Sequence, residues 1–225
     1  MHSLIEKKWV LPLKRGLYVI VPLNVGVRGA DSFIVHNFVI ASNLVKPYYI
    51  GFWSALNYHG LSDQIPNTTF IATTQAKKPL KILEVEYYFV KLEKNKFFGT
   101  TEVEVERNKV KISDPEKTIV DCLDHPEHAG GIDEVARSIY FSHEELDFGK
   151  IKKYAERMKN VTILKRLGFI LEKIGLLGKY EFLFTGFQPS KGYPVLDKLS
   201  SKKGKHNSKW GLLINREINP GGWMY

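Results

Sequence analysis

The chain of 225 residues has a single cysteine, Cys122, and only three methionines. One thiol excludes an intramolecular disulfide and a cysteine-rich zinc site, so Cys122 is expected to be a buried small hydrophobe. No apolar run approaches the roughly 20 residues of a membrane-spanning helix, and the N-terminus lacks a signal-peptide pattern. The expected location is the cytoplasm, with no membrane partner. Internal repeats and low-complexity tracts are also missing. There is no HExxH pair, no glycine-rich phosphate loop followed by Lys-Ser or Lys-Thr, and no nucleophile elbow. These gaps argue against an enzyme of the common hydrolase types, and no cofactor is expected.

What remains has globular composition, with 44% hydrophobic and 25% charged residues. That suffices for one large domain, or for a small module followed by a domain, which is the preferred division. The net charge of +9 is segregated along the chain. Residues 1–30 hold 5 basic and 1 acidic side chains, residues 31–145 hold 12 and 17, and residues 146–225 hold 16 and 6. Basic ends suit phosphate or an acidic partner, whereas the acidic middle repels nucleic acid.

The densest local signals lie in KISDPEKTIVDCLDHPEHAGGIDEVAR, residues 111–137. Ser113 followed by Glu116 has the spacing of a capping box, with Pro115 inside the first turn. At helical spacing Ile112, Pro115, Ile119, Cys122 and Leu123 share one side, and Asp114, Lys117, Asp121 and Asp124 share the other. The expectation is a core-facing helix with a solvated acidic back. Pro126 ends it, Gly130 and Gly131 supply a joint, and Ile132, Val135, Ala136 and Ile139 begin a second apolar stripe.

Elsewhere the texture alternates between helix and strand. Residues 3–8 suit the end of a helix, and residues 9–13 and 17–21 two strands joined at Lys14, Arg15 and Gly16, making a hairpin with a basic tip. Residues 24–30 form a connector. Ser32 is placed to cap a helix over residues 33–44, and residues 49–58 suit another, stopped at Gly60, with Trp53, Leu56 and Leu61 in the core. His59 at that stop is expected to bond terminal carbonyls rather than to catalyse. Strand-rich stretches follow at residues 68–74, 82–92, 97–106 and 110–112, with a turn at residues 107–109. Glu102, Glu104 and Glu106 alternate with Val103 and Val105, so the three carboxylates share a face. That face is either ordinary solvated sheet or a docking surface for a basic partner.

Beyond Ser142, residues 146–158 and 161–174 suit two helices, the second stopped at Gly175 with Lys165, Arg166 and Lys173 at its rim. Residues 180–187 are ambiguous between helix and strand. An extended piece at residues 194–196, a strand at residues 210–215 and an irregular end complete the chain.

Three constellations bear on chemistry. Asp121, Asp124, His125 and His128 contain metal-ligating groups, but Pro126 separates the histidines, and all four converge only if the loop folds back; a solvated helix end without metal is expected. Glu84, Glu86 and Glu104 with Lys91 form a low-specificity set for a nuclease. Lys202, Lys203, Lys205 and Lys209 with Trp210 have the residue types for phosphate contact and base stacking, although a mobile hairpin loop kept soluble by lysines explains the same residues and is the preferred reading.

Taken in order, KRGLYVIVP at residues 14–22, WSALNYHGLSDQIP at 53–66, the 111–137 stretch, RLGFILEKIG at 166–175 and KWGLLIN at 209–215 resemble the AbiEi family of antitoxins. The resemblance implies that the N-terminal hairpin is the wing of a winged helix-turn-helix, with Lys7, Lys8, Lys14 and Arg15 as DNA-contact candidates. The helices of the reader would precede the wing, and the sequence begins too late to supply them. The expected fold is α+β, with a winged-helix remnant over residues 1–30. A mixed helix and antiparallel-sheet antitoxin domain over residues 31–225 follows, with a C-terminal helical group. The implied function is an antitoxin that counteracts a nucleotidyltransferase-like toxin and regulates its own operon on promoter DNA. The alternative is a nucleic-acid-binding regulator without antitoxin activity.

Overall fold

In the computed structural model, which describes residues 2–7, 9–21 and 35–223, a short helix α1 (His2–Glu6) leads into the hairpin β1 (Val10–Lys14) and β2 (Leu17–Ile20). Then come α2 (Asn37–Ala41), β3 (Tyr48–Ile50), α3 (Phe52–Tyr58), β4 (Thr68–Thr73), β5 (Leu80–Ile82), β6 (Val85–Lys91), β7 (Thr100–Val105) and β8 (Asn108–Ser113). Four helices follow, α4 (Pro115–Asp124), α5 (Ile132–Ser142), α6 (Phe148–Arg157) and α7 (Val161–Lys173), and the tail carries the hairpin β9 (Lys205–Asn207) and β10 (Leu212–Ile214). The class is α+β, as expected.

Strands β3 to β8 form one six-stranded sheet in the order β5-β6-β4-β3-β8-β7. The joins β3–β4, β5–β6 and β7–β8 are antiparallel, while β3–β8 and β4–β6 are parallel. Alternation along the strands feeds two cores. Tyr49, Ala72, Val90 and Leu92 point to the face covered by α3 to α7. Tyr48, Ile50, Ile71, Tyr87, Phe89, Val110 and Ile112 point to the other, which α2 covers together with Leu13 and Leu17 of the hairpin. The N-terminal hairpin is therefore packed against the sheet.

Several boundaries differ from the sequence reading for identifiable reasons. The N-cap of α4 is Asp114, whose carboxylate accepts from the Lys117 amide at 2.8 Å. Ser113 belongs to β8, and its hydroxyl meets that of Thr118, so the capping box is not formed. Residues 48–50 are strand rather than helix, and α3 starts at Phe52. Residues 82–92 split into β5 and β6 across a turn at Leu83 and Glu84, both with positive φ and neither flagged by glycine. The turn before β8 centres on Glu106 and Arg107. Helix α2 begins after His36, whose Nδ1 accepts from the Phe38 amide; Ser32, the expected cap, lies outside the described residues, as do Lys8 and the connector at residues 24–30. Residues 178–184 are a 3-10 segment, and the irregular end contains another turn at Pro220–Trp223.

Candidate functional site

Helix α4 is the hub, and it is buried all round. Lys117, Asp121 and Asp124, expected to form a solvated back, are buried because Tyr49 of β3 and residues 98–99 lie against the first two, while Lys96 and Asn160 close over Asp124. Lys117 and Asp121 make a fully buried ion pair. Tyr49 donates to Asp121 Oδ2 at 2.8 Å and accepts from Lys117 Nζ at 3.2 Å. The ammonium also lies 5.0 Å from the centre of the Phe98 ring, a cation–π contact. Desolvation pushes the Asp121 carboxyl up, while Lys117 and the Tyr49 hydroxyl pull it down. Burial and the neighbouring carboxylate raise the Tyr49 phenol well above its ordinary value. Asp124 pairs with Lys96 at 2.8 Å and takes a bond from Asn160.

The other polar groups around α4 tie elements together. Glu116 pairs with Lys150 at 2.7 Å and accepts from the Asp147 amide, while Asp114 accepts from Tyr154. Desolvation opposes ionisation of Glu116, but the Lys150 and Asp147 bonds outweigh it and hold the carboxyl below its ordinary value. A depressed carboxylate stabilises above its unfolded pKa, and that contribution vanishes as pH falls through the folded one. Glu116→Gln is therefore expected to cost about 1–2 kcal/mol at neutral pH. The gap to the native protein should close on acidification, measured by urea unfolding across a pH series.

Lys165 and Arg166, expected at a rim, are 0% and 1% exposed. Lys165 Nζ donates to the carbonyls of Ser190, Gly192 and Gly211. Arg166 donates to the carbonyls of Leu123 and Asp124 at the C-terminal end of α4 and to Val195 in the tail. It satisfies carbonyls that the helix end leaves unpaired, where positive charge is also favoured.

At the α4–α5 corner the loop does fold back. The C-cap His125 and a 3-10 turn over Pro126–His128 bring His125, Glu127 and His128 together, with ligand atoms within 4.8 Å of one another. Asp121 does not join them, being held by Lys117, so the four-residue set considered from sequence is not the one assembled. Lys198 of the tail bonds Glu127 Oε1 at 3.0 Å. Burial lowers His128 to about 4; Glu127 falls to about 2 because hydrogen bonds from His125, the backbone and Lys198 overcome its desolvation. His59 bonds the Ser113 carbonyl at 2.7 Å, linking α3 to β8 rather than closing its own helix.

The surface candidates separate widely. Glu86 on β6 and Glu104 on the opposite edge strand β7 are divided by β4, β3 and β8, so the nuclease set does not converge. Glu102 and Glu104 are exposed on β7 opposite Lys111 and Lys109 of β8, while Glu106 sits in the turn and accepts from the His36 amide. The acidic ladder is thus partly matched by lysines across the strand pair. Lys7 and Arg15 are exposed, and Lys14 lies close enough to Lys77 that its charge, after desolvation, lowers the Lys77 ammonium. Lys202, Lys203, Lys205 and Lys209 are exposed, and Lys205 opens onto a groove of about 460 Å³ that also includes Lys173, His206 and Arg216.

Trp210 corrects the base-stacking reading. It is only 4% exposed, its indole N–H bonds Glu172 at 2.7 Å, and its ring lies over Gly168 of α7. Sequence reasoning also missed Lys165 and Arg166, because basic residues beside an apolar stripe normally face water. The available signal was Gly168 in mid-helix, the mark of a close approach by another element.

Among the described residues, then, the buried charges serve the protein's own packing, and its exposed charges lie in separate patches. The fold these buried charges hold together is of the α+β class. The family profile of the AbiEi antitoxin C-terminal domain matches residues 49–173, more than half of the chain, and the chain belongs to that family. Its general role is that of an antitoxin in a toxin-antitoxin system, a family of antitoxins rather than enzymes. No curated protein sequence matches the chain. Among solved structures it is similar to the crystal structure of the RV2827C protein from Mycobacterium tuberculosis. The TM-score is 0.61 at 12% identity, covering 94% of this chain and 78% of that one, a likeness of fold. Among the described residues no helix is long and apolar enough to cross a membrane.

Proposed function

We propose that this chain counteracts a nucleotidyltransferase-like toxin in the cytoplasm through its sheet-and-helix body, and that its N-terminal hairpin contacts promoter DNA of the shared operon. The observation that carries the first half is where the family match falls. It runs from β3 to the end of α7, taking in most of the sheet and the whole helical layer while excluding the hairpin and the tail. That match supports reading residues 31–225 as the antitoxin unit, and we further propose residues 1–30 as the remnant of a winged helix. Co-expression with the neighbouring toxin tests this: growth should be restored, with co-purification marking direct binding. Growth arrest that persists despite folded, well-expressed protein favours the regulator without antitoxin activity.

The second half rests on the basic hairpin. Lys7, Lys8, Lys14 and Arg15 are the proposed phosphate contacts, and Lys202, Lys203, Lys205 and Lys209 are a second candidate surface for nucleic acid or an acidic partner. Glu102, Glu104 and Glu106 remain a proposed docking edge for a basic partner. Removing two phosphate contacts with Lys14→Ala and Arg15→Ala should weaken promoter binding and lower the slope of log affinity against log salt by about 2. An unchanged slope in a fluorescence-anisotropy titration would remove the hairpin from the interface.

A further inference from the structure

We propose that His125, Glu127 and His128 form a binding site for a divalent first-row transition ion of the zinc class, held in the present form by the Lys198 ammonium as a stand-in cation. Two imidazoles and one carboxylate are a common donor set for such ions, with an open position left for water. The three donors come from four consecutive positions. Closing them around one ion therefore orders very little chain. Their present spacing, within 4.8 Å, must shorten to about 3.4 Å for bonds of about 2.1 Å in tetrahedral geometry. Side-chain rotation of about an ångström achieves that.

Three further observations converge on the same point. Among the described residues Glu127 Oε2 is buried with no hydrogen-bond partner, an acceptor left for a donor or a cation. The His128 ring packs among those of Phe52, Phe70, Tyr88 and His125, and among the described residues no side chain or carbonyl makes a hydrogen bond to it. Its nitrogens are thus left for a ligand. His125 Nε2 lies 3.4 Å from Asp124 Oδ2. In the ion-free form Nδ1 bonds Glu127 Oε1 at 3.1 Å; when the ion binds, the ring proton is carried on Nε2 beside Asp124 and the Nδ1 lone pair faces the ion, an arrangement common in metal-ligating histidines.

Lys198 shows that the site accepts positive charge. Its Nζ stands 3.4 Å from His125 Nδ1, 3.0 Å from Glu127 Oε1 and 3.0 Å from the Asp124 carbonyl. The side chain is about one-third exposed, so it can swing into water. Metal and lysine compete for one place. The neighbouring Asp197 still accepts from the Ile132 amide at the start of α5, which keeps the tail docked when Lys198 leaves.

The test is calorimetric titration of the full chain with zinc chloride, backed by the visible spectrum of the cobalt(II) form. One ion per chain is expected, with cobalt bands of nitrogen and oxygen ligation and no thiolate charge transfer. His128→Gln should weaken binding by roughly tenfold or more, comparable to or beyond the loss of a supporting group. Lys198→Met, which removes the competitor without touching a ligand, should tighten it roughly tenfold. Circular dichroism establishes that each variant is folded; if His128→Gln is not, Glu127→Gln replaces it. Zinc affinity that is the same in native, ligand-substituted and Lys198→Met proteins overturns the proposal. So does the absence of binding by Lys198→Met at millimolar zinc.

Discussion

Lys117→Met is expected to lower the unfolding free energy by about 3–5 kcal/mol, the usual cost of removing one partner of a buried ion pair. Methionine fills a similar volume, so the loss is electrostatic: Asp121 would be left buried at the centre of the domain with only the Tyr49 hydroxyl for company. Asp121→Leu should be comparably harmful, since it strands the ammonium among Tyr49 and Phe98. The informative variant is the double one. An apolar pair in place of the ions leaves no uncompensated charge, so Lys117→Met with Asp121→Leu should be less destabilised than the two single losses added together. Urea unfolding of the four proteins measures this directly. Additive losses would mean that the pair contributes through packing alone.

Trp210→Ala should cost a further large amount, about 3–5 kcal/mol, for a buried indole that also loses its bond to Glu172. The same site can be attacked from the helix. A Cβ on Gly168 would meet the Trp210 ring at 2.0 Å, so Gly168→Ala must displace the ring even though alanine is otherwise the better helix former. The expected outcome is a more helical but less stable protein whose Trp210 indole N–H resonance moves. In the double variant the missing ring leaves room for the methyl group, so the losses should again fall well short of their sum. A Gly168→Ala protein as stable as the native one would show that the indole is not seated where it is described.

How much of this was legible in the sequence depends on the kind of signal. Richness in Val, Ile, Thr, Tyr and Phe gave the strands within residues 82–92 and 97–106, and the alternation of glutamate with Val103 and Val105 gave the faces of β7, because its valines enter the second core while Glu102 and Glu104 meet water. The stops at Gly60 and Gly175 and the break at Pro126 were equally visible, since each is a local backbone requirement. What failed was anything set by a distant element. Lys117 and Asp121 look like a solvated face until β3 and residues 98–99 are laid over them, and Lys165 and Arg166 look like a rim until the tail is. Trp210 looks like a stacking platform until Gly168 is seen beneath it. The Asp114 cap was missed for a simpler reason: Ser113 and Asp114 are both good caps, and the pairing of β8 with β7 claims the first. At the α4–α5 corner His125 and His128 were singled out as potential ligands, but their convergence with Glu127 depends on a three-residue turn that periodicity cannot reveal.

Strand β3 lies between β4 and β8, so the middle of the sheet joins residue 50 to residue 112. During synthesis the hairpin β5–β6 can pair as it emerges, but the centre cannot close until β8 has left the ribosome, and non-local closure of that kind is slow. Helix α4 follows immediately and carries the buried charges that lock both layers. A nascent chain therefore passes from fragments to a finished body late and in one step. A gene product truncated before residue 108 would contain most of the strands and no closed sheet.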